Sequence, residues 1–121
     1  MARILLVDDE AAILQVVSRL LKLEGHEVTT IQQSDAAKHF IETEEFDLLI
    51  SDMRMAPLSG LDLLKVAKER RPNMKSIIIT AYHSPPIYRE AKKLGAIAYM
   101  PKPFDPQYLV GLVEKCVSAK P

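Results

Sequence analysis

The chain has 121 residues, a length that fits one domain. Its 16 basic and 16 acidic side chains cancel, so it lacks the broad positive field that nonspecific nucleic-acid binding needs. The single cysteine, Cys116, excludes an internal disulfide and suits a reducing cytoplasm. The first residues do not form a signal peptide, and no apolar run approaches the ~20 residues of a membrane span. We therefore expect a cytoplasmic domain that contacts neither nucleic acid nor membrane.

Short apolar runs alternate along the chain with segments that have helical spacing. The apolar runs predict buried strands at residues 4–7, 28–31, 48–50, 77–79 and 96–100. The first predicted helix stops at Gly25, and the second runs from about residue 34 to residue 43. The third begins near residue 60 and ends before Pro72, and the fourth covers about residues 86–94. The fifth begins with Asp105 as N-cap and Pro106 at the first helical position.

These elements form five strand–helix units. Strands that are continuous apolar runs are buried on both faces, as in a parallel sheet covered by helices. A closed barrel would need eight strands, and right-handed crossovers leave few open topologies. We therefore predict an α/β fold: a flavodoxin-like, doubly wound, five-stranded parallel sheet of order 2-1-3-4-5 with five helices.

Polar side chains follow four of the predicted strands. Ligands of such sheets bind outside the carboxyl ends of the strands, beside the point where the strand order reverses. The residues that follow the strands there are Asp8 and Asp9, Ser51 and Asp52, Thr80 and Ala81, and Lys102 and Pro103. Strand 2 lies at the edge away from this crevice and contributes Gln32 and Gln33. We expect a functional site at this end of the sheet.

The types of these residues predict a metal-dependent phosphoryl acceptor. Asp8, Asp9 and Asp52 would repel one another in one crevice, and a divalent cation relieves that repulsion. Carboxylate oxygens suit magnesium, or manganese, and no Cys or His cluster competes for zinc. An aspartate beside such a cation can attack phosphorus and become an aspartyl phosphate. Lys102 can supply a second cation, and Thr80 can supply a hydroxyl donor.

Four motifs, LLVDDE, LLISDMRM, IIITAY and YMPKPF, occur in this order along the chain. With them the sequence strongly resembles the receiver domain of two-component response regulators, the CheY-like superfamily. The resemblance covers essentially the whole chain, residues 1–121, as a single domain. Each motif is weak alone, but all four on a five-unit α/β chain are highly specific.

The resemblance implies a role for each matching residue. Asp52 is the expected phosphoacceptor, and Asp8, Asp9, Asp52 and the backbone carbonyl of Arg54 are the expected magnesium ligands. Thr80 is the expected switch hydroxyl, and Tyr99 the aromatic residue that turns inward with it. Lys102 is expected to pair with the phosphate, and its bond to Pro103 is expected to be cis.

The resemblance also implies partners. We expect a histidine kinase or phosphotransfer protein as phosphodonor, and a downstream protein or effector domain on the face of the fourth helix, fifth strand and fifth helix. Dimerisation on phosphorylation is common in the family. Such a domain is a phosphoacceptor and not a turnover enzyme. Two interpretations of the chain end at Pro121 stay open, a stand-alone receiver and part of a longer protein.

The chain departs from the family pattern in two loops. After the phosphoacceptor, Pro57 lies one place late and Ala56 takes the usual proline position. After the fourth strand, Pro85 and Pro86 should stiffen the loop and shorten the next helix. The first change bears on the shape of its loop, although Gly60 stands where the family pattern has glycine. The second bears on the partner surface and on the amplitude of the switch, and not on the chemistry.

Other interpretations compete with this one. Asp8 and Asp9 could cap the first helix, and Tyr99 could be a plain core residue. A degenerate receiver would bind proteins without phosphorylation. A magnesium-dependent phosphatase would place a second aspartate where Arg54 stands, and a flavin or nucleotide binder would want a Gly-, Ser- or Thr-rich loop after the first strand. We assign no ligand role to the histidines, which we place in a turn (His26), on a helix surface (His39) and in a loop (His83), and we place Cys116 in the core.

Overall fold

The computed structural model describes residues 2–82 and 84–118, without the side chain of Ser118. Within this range five strands alternate with five helices. In chain order they are β1 (Arg3–Val7), α1 (Ala11–Leu23), β2 (Glu27–Ile31), α2 (Ser34–Thr43), β3 (Leu48–Asp52), α3 (Gly60–Arg70), β4 (Lys75–Thr80), α4 (Pro85–Lys93), β5 (Ala98–Pro101) and α5 (Pro106–Ser118). His83, predicted to lie in a loop, falls outside the described residues.

The five strands form one parallel sheet of order β2-β1-β3-β4-β5, which confirms the predicted topology. The register aligns the carboxyl ends of the strands. Val7 lies opposite Ser51, and Thr80 lies opposite Pro101. Residues that follow the central strands therefore meet at one edge of the sheet.

Helices cover both faces of the sheet. One core cluster joins Ile4, Leu6 and Ile50 to α1 and α5, and a second joins Leu5 and Leu49 to α2 and α3. Alternate residues of one strand enter opposite clusters because successive side chains point to opposite faces. Strand β2 differs from the prediction of full burial. None of its five residues is buried, since it is an edge strand.

Most predicted helix ends are confirmed, and glycine and polar caps explain them. Gly25 and Gly95 follow α1 and α4 with φ of +91° and +98°, a region that strains other residues. At α5 the N–H of Gln107 donates to Asp105 Oδ1 at 2.9 Å, so Asp105 caps the helix. Helix α4 begins at Pro85 after the capping residue Ser84 and has nine residues, the fewest of the described helices.

Strand β5 begins two residues later than predicted, at Ala98 and not at residue 96. The N–H of Ala96 donates to the carbonyl of Ala91 at 3.0 Å and so belongs to the turn that ends α4. The apolar pattern extends across that turn because Ala96 packs in the core beneath α4. No helix in residues 2–82 and 84–118 is long and apolar enough to cross a membrane.

Candidate functional site

Polar side chains are buried at the carboxyl edge of the sheet. Asp8 follows β1, Asp52 ends β3 and Thr80 ends β4. Asp8 and Thr80 are fully buried, and Asp52 is 4% exposed. Buried polar groups need a partner, because the loss of water is costly. The partner of the two carboxylates is Lys102, which enters this edge after β5.

The Lys102 ammonium lies among three carboxylates. Its Nζ is 3.0 Å from Asp8 Oδ2, 3.4 Å from Asp52 Oδ2 and 2.7 Å from Glu10 Oε2. Its side chain is 9% exposed, so the lysine points into the site and not into solvent. The bond from Lys102 to Pro103 is cis, as the resemblance implies. The structure therefore brings together Asp8, Asp52 and Lys102, which lie far apart in the sequence.

Glu10 also belongs to the site, although its sequence position predicted no role for it. It makes the shortest of the three Lys102 contacts, at 2.7 Å. It also belongs with Asp8 and Asp9 to a group of acids whose oxygens lie within 4.8 Å of one another. The third acid of the DDE run was the available signal. The run does not say which way the Glu10 side chain points.

The acidic groups fit a divalent cation. Asp8 Oδ1 accepts a hydrogen bond from the N–H of Glu10 at 2.8 Å. Asp8 Oδ2 is buried and pairs electrostatically with Lys102, but no donor among the described residues makes a directed hydrogen bond to it. An oxygen with this spare capacity, next to Asp9 and Glu10, matches the hard oxygen ligands that magnesium prefers. Asp52 lies outside the close acidic group but shares Lys102 with Asp8.

The alternative that the two aspartates cap α1 is wrong. The N-cap residue is Glu10, which makes no side-chain cap bond, and the helix begins at Ala11. The Asp8 carboxylate bonds the N–H of Glu10, ahead of the helix. Helix capping therefore does not account for the burial of Asp8.

Burial governs the electrostatics of the site. Loss of water raises the pKa of Asp8 and of Asp52 above the ordinary range, although hydrogen bonds and Lys102 oppose the rise. Burial alone would lower the pKa of Lys102, but its interactions with the carboxylates of Glu10, Asp8 and Asp52 together outweigh burial and raise it. The lysine is therefore held as a cation beside two carboxylates that ionise less readily than usual.

Thr80 is tied to the loop that follows β4. The N–H of Tyr82 donates to Thr80 Oγ1 at 2.9 Å, and the N–H of Lys102 donates to the Thr80 carbonyl at 2.7 Å. The hydroxyl proton of Thr80 is available to another acceptor, since Oγ1 serves as the acceptor in the bond with Tyr82. Thr80 thus links the loop after β4 to Lys102, which follows β5.

Tyr99 packs against the β4–α4 region. Its ring meets Tyr88 edge-on, with the centroids 5.3 Å apart. Its hydroxyl is buried and interacts with the backbone of Ser84, the N-cap residue of α4. Burial raises the pKa of Tyr99. The Tyr99 ring therefore connects β5, to which it belongs, with the start of α4.

The loop after β3 has a defined shape despite its departure from the family pattern. The Ala56–Pro57 bond is cis. The N–H of Leu58 donates to Ser34 Oγ at 2.8 Å, and Ser59 and Asp62 form a capping box at the start of α3. Within the same loop, the backbone of Arg54 interacts with the Asp52 carboxylate and opposes the rise of its pKa. The Arg54 guanidinium lies 3.9 Å above the Tyr82 ring, so the two loops touch beside the site.

Two grooves flank the site region. The first, about 430 Å³, lies beside Lys102 between α1 and the β5–α5 loop and is lined by Ile13, Val16 and Phe104 among others. The second, about 330 Å³, lies on the face of α4, β5 and α5. It is lined in part by Tyr88, Tyr99 and Tyr108, and Tyr108 is strongly exposed.

The remaining histidines and the cysteine occupy varied positions. His39 is exposed on α2, and Cys116 is buried in α5, as predicted. His26 follows the turn after α1, but it is buried: its Nδ1 accepts from the N–H of Ala2 at 3.1 Å, and its Nε2 pairs with Glu114. It therefore joins the start of β1 to α5, a role that its position in the sequence did not reveal.

The family model of the response regulator receiver domain matches residues 4–114. The chain belongs to this family. The receiver is 35% identical over 94% of its length to the response regulator protein FleR of Pseudomonas aeruginosa. It is 37% identical over 93% of its length to the DNA-binding transcriptional regulator NtrC of Klebsiella pneumoniae. It spans 24% of the length of each of these relatives.

Solved receiver structures share its fold. The CheY-like receiver domain protein of Methanospirillum hungatei superposes with a TM-score of 0.92 at 35% identity, covering 98% of this chain and 95% of that one. The chemotaxis response regulator CheY4 of Vibrio cholerae gives 0.87 at 30% identity, covering 96% and 98%. The predicted resemblance and the flavodoxin-like fold are both confirmed.

Proposed function

We propose that this receiver domain accepts a phosphoryl group on Asp52 from a histidine kinase or phosphotransfer protein. The observation that carries the proposal is the position of Lys102, whose ammonium pairs with both the buried Asp8 and the buried Asp52. A carboxylate that is largely buried and next to a cation is suited to attack an electrophile that brings negative charge. Family membership supports the same function.

The reaction is an in-line transfer. An Asp52 carboxylate oxygen attacks the phosphorus of a phosphohistidine, a new O–P bond forms, and the N–P bond breaks with its electron pair on the imidazole nitrogen. Asp8, Asp9 and Asp52, with the backbone carbonyl of Arg54, would hold a magnesium or manganese ion. When bound, that ion neutralises charge on the phosphoryl oxygens. Lys102 supplies a second positive charge, and the Thr80 hydroxyl supplies a proton donor.

The structural change that follows phosphorylation begins at the carboxyl ends of β4 and β5. A Thr80 hydroxyl that turns toward the phosphoryl group gives up its bond with Tyr82, and the β4–α4 loop moves with it. Tyr99 interacts with the backbone of Ser84, at the end of this loop, and is the proposed aromatic switch. A phosphoryl group shifts the population between two states that differ by a few kcal/mol.

The output partner is proposed to bind the face of α4, β5 and α5. That face carries the groove of about 330 Å³ with its tyrosines, and a downstream protein, an effector domain of the same polypeptide or a second receiver could occupy it. The FleR and NtrC relatives are about four times as long as this chain, in line with an effector in a longer regulator. A cytoplasmic location and the lack of a turnover activity belong to the same proposal.

The decisive experiment is phosphorylation by a small phosphodonor. The wild-type chain is incubated with acetyl phosphate and Mg²⁺ and its intact mass is measured. We expect one added phosphoryl group in the wild type and in the control Asp35→Asn, an exposed acid in α2, and none in Asp52→Asn. An unmodified wild type would favour the alternative, a degenerate receiver that binds partners without phosphorylation. Equal modification of Asp52→Asn would move the acceptor to another residue.

A further inference from the structure

The Lys102 ammonium is surrounded by three carboxylates. It has three N–H donors, and the carboxylates are those of Asp8, Asp52 and Glu10. The shortest contact, 2.7 Å, is to Glu10, and the longest, 3.4 Å, is to Asp52. In this state the lysine is drawn most closely to an acid that is not the phosphoacceptor.

The three acids differ in their freedom to move. Asp8 and Asp52 are buried at the ends of β1 and β3. The Asp8 carboxylate is also held by a hydrogen bond from the N–H of Glu10, and the backbone of Arg54 interacts with the Asp52 carboxylate. The Glu10 side chain is 59% exposed, and it makes no cap bond to the helix that follows it. Glu10 can therefore turn into water at small cost, because an exposed ion pair contributes little.

A phosphoryl group on Asp52 changes the balance around Lys102. The aspartyl phosphate, a mixed anhydride, adds negatively charged phosphoryl oxygens to the Asp52 carboxyl group. The ammonium must approach them to neutralise their charge, and the contact that it can release most easily is the one with Glu10. Glu10 thus competes with the phosphoryl group for the same cation.

We propose that Glu10 is a positioning residue that holds Lys102 in the unphosphorylated receiver and yields it to the phosphoryl group. The proposal rests on the proposed function, since it assigns Lys102 to the phosphate. Glu10 then influences the affinity of the site for a phosphoryl group. A weaker contact between Glu10 and Lys102 gives a higher affinity.

The test measures the affinity for a phosphoryl mimic. Beryllofluoride is titrated into the full chain at saturating Mg²⁺, with ¹⁹F NMR as the readout. We expect Glu10→Gln to bind beryllofluoride about twofold to fivefold more tightly than the wild type, the range that corresponds to one exposed ion pair. Glu24→Gln is the matched control, because it removes the same charge at the exposed far end of α1. It should bind like the wild type.

A second pair of variants separates contact with Lys102 from simple repulsion of the anion. In a Lys102→Met background, Glu10→Gln should bring no gain, because there is no ammonium to release. The same gain in that background would show that Glu10 only repels the anion, and would overturn the proposal.

A third measurement needs no change at Lys102. The ¹⁵Nζ resonance of Lys102 should shift when beryllofluoride binds to the wild type, and Glu10→Gln should shift it before any is added. A Lys102 resonance that Glu10→Gln leaves in place would overturn the proposal, as would unchanged or weaker beryllofluoride binding by that variant. Failure of the wild type itself to bind beryllofluoride would instead remove the proposed function.

Discussion

Gly60 lies directly against the backbone of Asp52, the proposed phosphoacceptor. A Cβ atom at Gly60 would lie 2.4 Å from the Asp52 carbonyl oxygen and 2.9 Å from the Met53 Cα. Real Cβ atoms do not approach backbone so closely, so only glycine lets α3 begin against the end of β3. The N–H of Gly60 also donates to the Met53 carbonyl at 2.9 Å. The start of α3 is thereby joined to the strand that carries the site.

Gly60→Ala should destabilise the receiver by about 1–3 kcal/mol, because the methyl group must push backbone and not a flexible side chain. Urea unfolding measures the loss. Gly111→Ala is the control, since a Cβ there meets nothing within 4 Å and the residue lies within α5. It should add about 0.5–1 kcal/mol, the usual advantage of alanine in a helix. Equal stability of Gly60→Ala and the wild type would contradict the close approach.

Asp52→Asn should raise the melting temperature of the metal-free protein by a few degrees. The substitution removes a charge that burial makes costly, and it keeps the shape of the side chain. Thermal unfolding in a chelating buffer measures the change. Asp35→Asn, an exposed acid in the first turn of α2, should bring no gain. A lower melting temperature of Asp52→Asn would mean that Lys102 stabilises the carboxylate more than burial penalises it.

The advantage of Asp52→Asn should also depend on pH. A folded-state pKa above the ordinary carboxyl value of about 4 means that the native protein holds its proton more tightly than the unfolded chain. The contribution of Asp52 to stability is then lost as the pH rises from the unfolded value through the raised one. The difference between variant and wild type should therefore be small in acid and grow toward neutral pH. A constant difference across this range would contradict the raised pKa.

Magnesium should stabilise the wild type against heat, because it relieves the repulsion in the acidic site. At a concentration of one hundred times the Kd, the linkage amounts to about 2.7 kcal/mol. Differential scanning calorimetry with and without Mg²⁺ measures the shift. The double variant Asp9→Ala, Asp52→Ala should lose it, whereas Asp35→Asn should keep it. A shift of the same size in the double variant would place the ion elsewhere.

His26→Ala should destabilise the fold by about 1–3 kcal/mol. The substitution leaves the buried N–H of Ala2 without its acceptor and removes the partly buried contact with Glu114. Chemical unfolding compares it with His39→Ala, which replaces an exposed histidine on α2 and should lie within about 0.5 kcal/mol of the wild type. Similar small effects of both substitutions would show that the His26 contacts contribute little.

Much of the fold could be predicted because its signals are local. The apolar runs of β1, β3 and β4 alternate with helical spacing, and Gly25, Gly95 and Asp105 mark helix ends through their own backbone preferences. The limits of β5 were harder to predict. Ala96 is as apolar as its neighbours, and only its hydrogen bond to Ala91 assigns it to the turn after α4.

The sequence by itself determined the strand order and the edge at which Asp8, Asp52, Thr80 and Lys102 lie, since parallel strands place their carboxyl ends together. Only the tertiary structure decided which acid holds Lys102 most closely and that His26 is buried between β1 and α5. Those contacts join residues 92 and 88 positions apart. Side-chain direction across such separations depends on the packing of whole elements, which no local pattern encodes.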